Sequence, residues 1–418
     1  MNTNIYELYV DKFAGDLNGL AAKLPYLSLL GIDCLHLLPH FPSPMADDGY
    51  DISDYRSVRT KLGTLDDFKN LISAAHARGI RIILDFVLNH TSEMHPWFIE
   101  ARSSRTNLKR DFYLWNDTPN RLNDATNAFP DIKESNWILN KETGDYYFAS
   151  FYPQQPDLNW DNPEVEREML ANMDFWADMG IDGFRLDAAP FLVKREGGTS
   201  NGLSETHAVI KRIRKHIEAK YPEVILLAEA HQSIALTKEY FGNSDECHMA
   251  YHFPLMEALW VELAGIHAGS VGHMVNESFD IPVRCQWAVF LRNHDEISLS
   301  TLDPDTRARL IAFFDPQSKY VFKKARATSM RIASIFENNP EKILQAIQLL
   351  YSTPGSHIMY YGDEIGMRNL PADPSIIDTR KFVRGQFDWD EAKRQMQDQN
   401  STWNRIATMI RSTRSITD

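Results

Sequence analysis

The 418-residue sequence predicts an α/β fold, a closed (β/α)8 barrel with an irregular insertion after the third strand. Three observations carry this reading. Short, mostly apolar runs alternate with longer amphipathic stretches along most of the chain, the pattern of parallel strands joined by helical crossovers. The runs lack the polar alternation of a sheet with one wet face, so they suit strands buried on both sides. Four of them end in ionisable residues, as strands do at the C-terminal mouth of a barrel.

Taken in order, the runs are residues 5–10, 34–38, 80–86, 183–186, 224–228, 287–291 and 356–360, with an eighth at 247–253 ahead of a helix near 254–264. Between them lie helical patterns at 20–30, 65–78, 165–179, 206–220 and 343–351, and a last helix near 403–413 that would close the barrel. An open doubly wound sheet is the rival arrangement. No G-x-G-x-x-G follows a strand, which weakens its dinucleotide-binding version. Two stretches break the alternation. Residues 91–163 are rich in Trp, Asn, Asp and Pro and read as a small inserted domain, leaving 1–90 and 164–418 to the barrel. Residues 295–340 are long for one connection and read as helical lid material.

Composition narrows the function. Lys plus Arg is 44 and Asp plus Glu is 57, a net charge of −13. This acidic balance argues against nucleic acid or an anionic membrane as partner and suits a neutral substrate. Cys34, Cys247 and Cys285 are far apart, without metal spacing, and read as thiols of a reducing compartment. Residues 1–10 lack a basic segment followed by a long apolar one, and no run of about 18 apolar residues occurs. The expectation is a soluble cytoplasmic protein, with signal-independent export left open, and oligomeric state is not specified.

The strand ends hold the chemistry. The third strand leads through Asp85 to His90, the fourth reads Arg185-Leu186-Asp187, the fifth ends at Glu229, and the seventh leads to Asn293-His294-Asp295. Three acids, an arginine and two histidines at one mouth suit glycoside transfer, which needs two carboxyl groups in different roles. Asp187 is the better nucleophile, because period-two alternation puts Arg185 on its face and a permanent guanidinium favours the carboxylate. Glu229 follows an apolar run without an adjacent cation, a setting that would raise its pKa as a general acid requires. Asp295, His90 and His294 would hydrogen-bond the sugar.

These stretches, DFVLNH (85–90), GFRLDA (183–188), Glu229 and NHD (293–295), resemble those of the α-amylase family, glycoside hydrolase family 13; QPDLNW (155–160) resembles its fifth stretch. The nearest versions are those of trehalose synthases and oligo-1,6-glucosidases. The resemblance implies a barrel with an inserted domain B and a retaining mechanism on α-glucosidic bonds. It assigns Asp187 as nucleophile, Glu229 as acid/base and Asp295 as transition-state stabiliser, with Arg185, His90 and His294 at the glucosyl subsite and Tyr50 stacked on the sugar. Asp47 matches the acid that closes the pocket in exo-acting members. Its usual arginine partner corresponds to Arg384 in RGQFDW (384–389), so an Asp47–Arg384 pair is expected.

Three departures from the family stand out. The metal-binding loop after the first strand is missing at residues 13–17, so no metal and no cofactor are expected. The usual C-terminal β-sandwich is not expected within these 418 residues, and the middle of the arginine stretch is altered. The resemblance leaves three functions open: hydrolysis of α-1,4-glucans or malto-oligosaccharides with release of glucose, interconversion of maltose and trehalose, and non-catalytic glucan binding. Persistence of all three acids disfavours the last. The shortened first loop favours water as acceptor, so hydrolysis is the leading expectation.

Overall fold

The structure, a computed structural model, describes residues 3–278 and 280–414. The outer limits assigned to the barrel, 1 and 418, lie outside the described residues. Eight parallel strands close a barrel in chain order: β1 (Asn4–Leu8), β2 (Cys34–Leu37), β3 (Arg81–Val87), β4 (Gly183–Asp187), β5 (Ile225–Ala228), β6 (Met249–Tyr251), β7 (Gln286–Val289) and β8 (Ser356–Tyr360), with β8 pairing back onto β1. The eight apolar runs therefore become the eight strands, and the open-sheet rival is excluded.

The surrounding helices include Leu17–Leu30, Leu65–His76, Pro163–Ala177, Ser204–Lys220, Phe253–Leu263, Pro340–Tyr351 and Thr402–Arg414. Several start earlier than their apolar periodicity suggests, because the first turn is led by a proline after a polar cap. Asn162 caps the helix from Pro163, and Asn339 the helix from Pro340. Proline at the first helical position loses no hydrogen bond, and the cap satisfies orphan N–H groups. Asp16, in the shortened loop after β1, is likewise used as a cap, accepting from Gly19 N at 2.6 Å.

Strand spacing is tight where the chemistry sits. A Cβ on Gly183 would lie 2.6 Å from Ile225 Cγ1 and 2.9 Å from Ile225 O, so only glycine lets β4 and β5 approach this closely. The β4–β5 register pairs Leu186 with Ala228, which sets Asp187 beside Glu229 one step further on.

Two excursions rise above the C-terminal mouth. Between β3 and β4, the strands Trp115–Asn116, Asp145–Phe148 and Trp137–Asn140 form an antiparallel sheet over a small core of Ala125, Trp137 and Phe148. The stretch 155–160 ties this unit down: His90 pairs with Asp157 in a bridge, and Trp160 Nε1 donates to Leu88 O at 2.9 Å. Between β7 and β8 come the helix Pro304–Phe314 and a sheet of Ile297–Ser298, Ala327–Thr328 and Val321–Phe322. That sheet replaces part of the helical lid expected at 295–340; two-residue strands are too short to register as a period of two. Among the described residues no helix is long and apolar enough to cross a membrane.

Candidate active site

A pocket opens at the C-terminal ends of the strands, lined by Asp47, Tyr50, His90, Asp187, Glu229, Asn293, Asp295 and Arg380, with Phe129, Phe151 and Phe253 as apolar walls. Eight of the nine residues singled out from sequence meet in or directly beneath it. The ninth, Arg384, touches it through Asp295.

Arg185 organises the acid pair. It is fully buried and reaches inward from β4. Its Nη1 donates to Asp85 Oδ1 at 2.8 Å and to Asp187 Oδ1, and its Nη2 lies 2.8 Å from Glu229 Oε1. Both carboxylates are thus held by the two terminal nitrogens of one guanidinium. This corrects the expectation that Glu229 has no cation beside it: the barrel's closure brings Arg185 across from the neighbouring strand. Ala188 also donates its N–H to Glu229 Oε2 at 2.9 Å, from a left-handed backbone conformation (φ 48°) uncommon for a residue with a side chain. For Asp187, burial pushes the carboxyl well above its ordinary range, and the Glu229 charge adds to this against the pull of Arg185. Arg185 alone therefore does not secure the ionised form of Asp187.

Asp295, on the opposite wall, is held the other way. Burial opposes its ionisation, but His294, Arg380 and Arg384 hold it well below the usual carboxylate range. Arg384 Nη2 donates to Asp295 Oδ1 at 2.8 Å, Arg380 Nη1 does so at 3.2 Å, and His294 Nε2 lies 3.2 Å from Oδ2. His294 is itself lifted to about 10: burial would lower it, and the charges of Asp295 and Glu7 overcome that. Tyr50 lies parallel to the His294 ring, 5.3 Å between centroids, and donates its hydroxyl to Asp85 at 2.7 Å. His90 is pushed down to about 4 by burial and is neutral. Its Nδ1 sits 3.2 Å from the Asn89 amide nitrogen, so Nε2 carries the hydrogen, and the Tyr50 backbone lies close enough to act on the ring. The Asn293 amide nitrogen is buried without a partner among the described residues. That amide is a donor at the pocket wall for a sugar hydroxyl.

The expected Asp47–Arg384 pair does not form. Asp47 accepts instead from Arg380 Nη2 at 2.7 Å and Gln155 Nε2 at 3.1 Å. Arg384 turns to Asp48, at 2.6 Å, as well as to Asp295. The 3-10 turn Thr379–Val383 is the physical reason, since it presents Arg380 to the pocket a turn ahead of Arg384. Arg380 is further locked by Asp378, whose other bond, from the Tyr152 hydroxyl at 2.6 Å, links it to the first excursion. Arg380 also lies over the Phe129 ring at 4.4 Å, and Phe129 meets Phe322 of the second excursion at 5.8 Å. Lys324 N donates to both oxygens of Asp131. The two excursions and the loop after β8 thereby roof one side of the pocket.

Sequence reasoning missed Arg380, Glu7 and His36. Arg380 lies outside every recognisable stretch. Glu7 and His36 were hidden inside apolar strands, where a charged residue at an inward position was the available signal. No group of three His, Cys, Asp or Glu side chains among the described residues is placed to hold a metal ion.

The α-amylase catalytic-domain model matches residues 2–314. The chain is 45% identical over 381 residues to a trehalose synthase/amylase of Mycolicibacterium smegmatis, covering 90% of this chain and 63% of that protein. It is 42% identical over 395 residues to a trehalose synthase of Thermus thermophilus, covering 93% and 40%. An oligo-1,6-glucosidase of Heyndrickxia coagulans is 30% identical over 403 residues, covering 87% and 66%. The chain thus spans less than two thirds of these relatives' length. Among solved structures, the α-glucosyl transfer enzyme XgtA superposes with a TM-score of 0.79 at 27% identity, covering 99% of this chain and 83% of that one. The conclusion from motif, barrel and match together is that the chain belongs to the α-amylase family.

Proposed function

We propose that this chain is a retaining α-glucosyl-transferring enzyme of the trehalose-synthase type, acting on maltose or a related malto-oligosaccharide through a covalent glucosyl intermediate on Asp187. The observation that carries the reading is the pairing of Asp187 and Glu229 on one guanidinium at neighbouring strand ends. Neighbouring strands lie about 4.8 Å apart, which suits the roughly 5–5.5 Å carboxyl separation of retaining enzymes rather than the 6.5–9.5 Å of inverting ones. In the first step Asp187 attacks the anomeric carbon while Glu229 gives its proton to the leaving oxygen. In the second, Glu229 takes a proton from the acceptor and the glucosyl–Asp187 bond breaks. Asp295 opposes the oxocarbenium-like charge, and Asp47 with Arg380 closes the pocket behind one glucosyl unit.

Hydrolysis, the leading expectation from sequence, gives way to transfer on two grounds. Relatives at 42 and 45% identity are named trehalose synthase and trehalose synthase/amylase. The roof over the pocket, with residues 91–163 serving as domain B above a barrel of 1–90 and 164–418, favours keeping water away from the intermediate. Incubation with maltose and with maltoheptaose, followed by separation of products, tests the reading. Trehalose from maltose, with glucose a minor product, is expected. Glucose alone would restore hydrolysis, and no turnover of either sugar would remove both.

A further inference from the structure

We propose that Glu7 and His36, on the barrel floor beneath the pocket, are positioning residues: Glu7 fixes His294 as a donor through both ring nitrogens, and His36 links that constraint to the Asp85–Arg185 pair holding the reacting carboxylates. Glu7 and His36 pair in register on β1 and β2, and both are wholly buried. Glu7 Oε1 accepts from His294 N at 2.6 Å and lies 3.0 Å from His294 Nδ1. Its Oε2 lies 3.1 Å from His36 Nδ1 and accepts from the Tyr251 hydroxyl at 3.2 Å.

The proton positions follow from these partners. His294 Nδ1 faces only a carboxylate, so it must carry a hydrogen. His294 Nε2 faces Asp295 at 3.2 Å and the Tyr50 oxygen at 2.6 Å, and the Tyr50 hydrogen is already committed to Asp85. Nε2 must therefore carry one too. His36 sits between Glu7 and Asp85, with Nε2 3.3 Å from Asp85 Oδ2. The result is a series of alternating acids and bases, Asp295, His294, Glu7, His36, Asp85, Arg185, Asp187, running beneath the pocket, with the His36–Asp85 step an ion-pair contact rather than a hydrogen bond. Beyond these neighbours, Arg292 and Asp363 are the charged groups near enough to act on Glu7. Neither Glu7 nor His36 lines the pocket, so their influence passes through His294 and Arg185.

The inference deepens the proposed reading, and its test separates the two. Nitrogen NMR of labelled histidine needs no substrate: in the unaltered protein at pH 8.5, His294 should show both nitrogens protonated, and a single protonation there would overturn the proposal. Glu7→Gln, which keeps shape and removes charge, should lose that signature and lower kcat/KM on maltose tenfold or more. Glu7→Asp should restore the signature and part of the rate. Retention of the doubly protonated signal in Glu7→Gln, or kcat/KM within twofold of the parent, would overturn the role of Glu7. His36→Gln, which leaves Glu7 in place, gives a second route should Glu7→Gln not fold. A fivefold or greater loss of kcat/KM is expected, and an unchanged rate would overturn the role of His36.

Discussion

Arg380 donates to Asp47 at 2.7 Å from a position where both side chains are almost wholly buried. The same guanidinium also bonds Asp378 and Asp295, so one cation answers three carboxylates. Removing one partner of a buried ion pair costs about 3–5 kcal/mol, because the remaining charges are left unpaired. Arg380→Ala should therefore lower the unfolding midpoint by several degrees and raise KM for maltose. Arg380→Lys should recover little, since a point-charge ammonium cannot serve three acceptors with a planar fork's geometry. Arg384→Ala should leave Asp47 paired and act mainly on kcat through Asp295. Thermal unfolding and steady-state kinetics on the three variants check this; identical kinetic signatures for the two alanine variants would contradict the division of labour.

Asp187→Asn should abolish turnover of every α-glucoside, because an amide cannot form the covalent glucosyl intermediate. Glu229→Gln should reduce maltose turnover by a factor on the order of 10³, within the span general acid catalysis supplies. It should still form a glucosyl-enzyme from α-glucosyl fluoride, whose leaving group needs no proton. Mass spectrometry of the trapped protein would show the added glucosyl mass. Normal maltose turnover by Glu229→Gln would reverse the assignment of acid and nucleophile.

The barrel was legible because its signal is local. Each strand is a run of mostly apolar residues such as 225–228, and the reacting acids sit at or just past a run's end. Asp187, Glu229 and Asp295 could be read for the same reason. The partner of Asp47 could not, because Arg380 and Arg384 differ only in how one short turn aims them. The contact of Arg185 with Glu229 was equally hidden: it crosses between strands 44 residues apart in sequence, and its existence depends on the closeness of β4 and β5. Glu7 and His36 were passed over because a strand of mostly apolar residues reads as packing, although a charge on an inward face needs a partner to be tolerated.

His294 gives a pH dependence whose sign is fixed. Its folded-state pKa, about 10, stands above the unfolded value near 6.5. The stabilisation is fully present below pH 6.5 and is lost as pH rises through 10, at up to about 1.4 kcal/mol per unit between them. Other groups titrate in the same window, so the comparison must be with His294→Gln, which lacks this term. Urea unfolding of both proteins from pH 6.5 to 10 should show the parent's advantage shrinking steadily. A constant difference across that range would mean that His294 is not charged in the folded protein.

Gly183→Ala offers a test of the geometry on which the acid pair depends. The added Cβ would meet Ile225 Cγ1 at 2.6 Å, Ile225 O at 2.9 Å and Ile83 Cγ1 at 3.2 Å. Two of these are side-chain atoms that can shift; the carbonyl oxygen belongs to the neighbouring strand and cannot move without moving it. Overpacking of this kind costs about 1–3 kcal/mol. The strain should fall on the β4–β5 spacing and hence on the separation of Asp187 and Glu229, so kcat should drop more than stability alone explains. Ile225→Ala added to Gly183→Ala removes the Cγ1 contact but leaves the carbonyl contact in place. The double variant should therefore regain part of the lost stability and little of the lost kcat. Full recovery of both would show that the side-chain clash, rather than the distance between the two strands, set the rate.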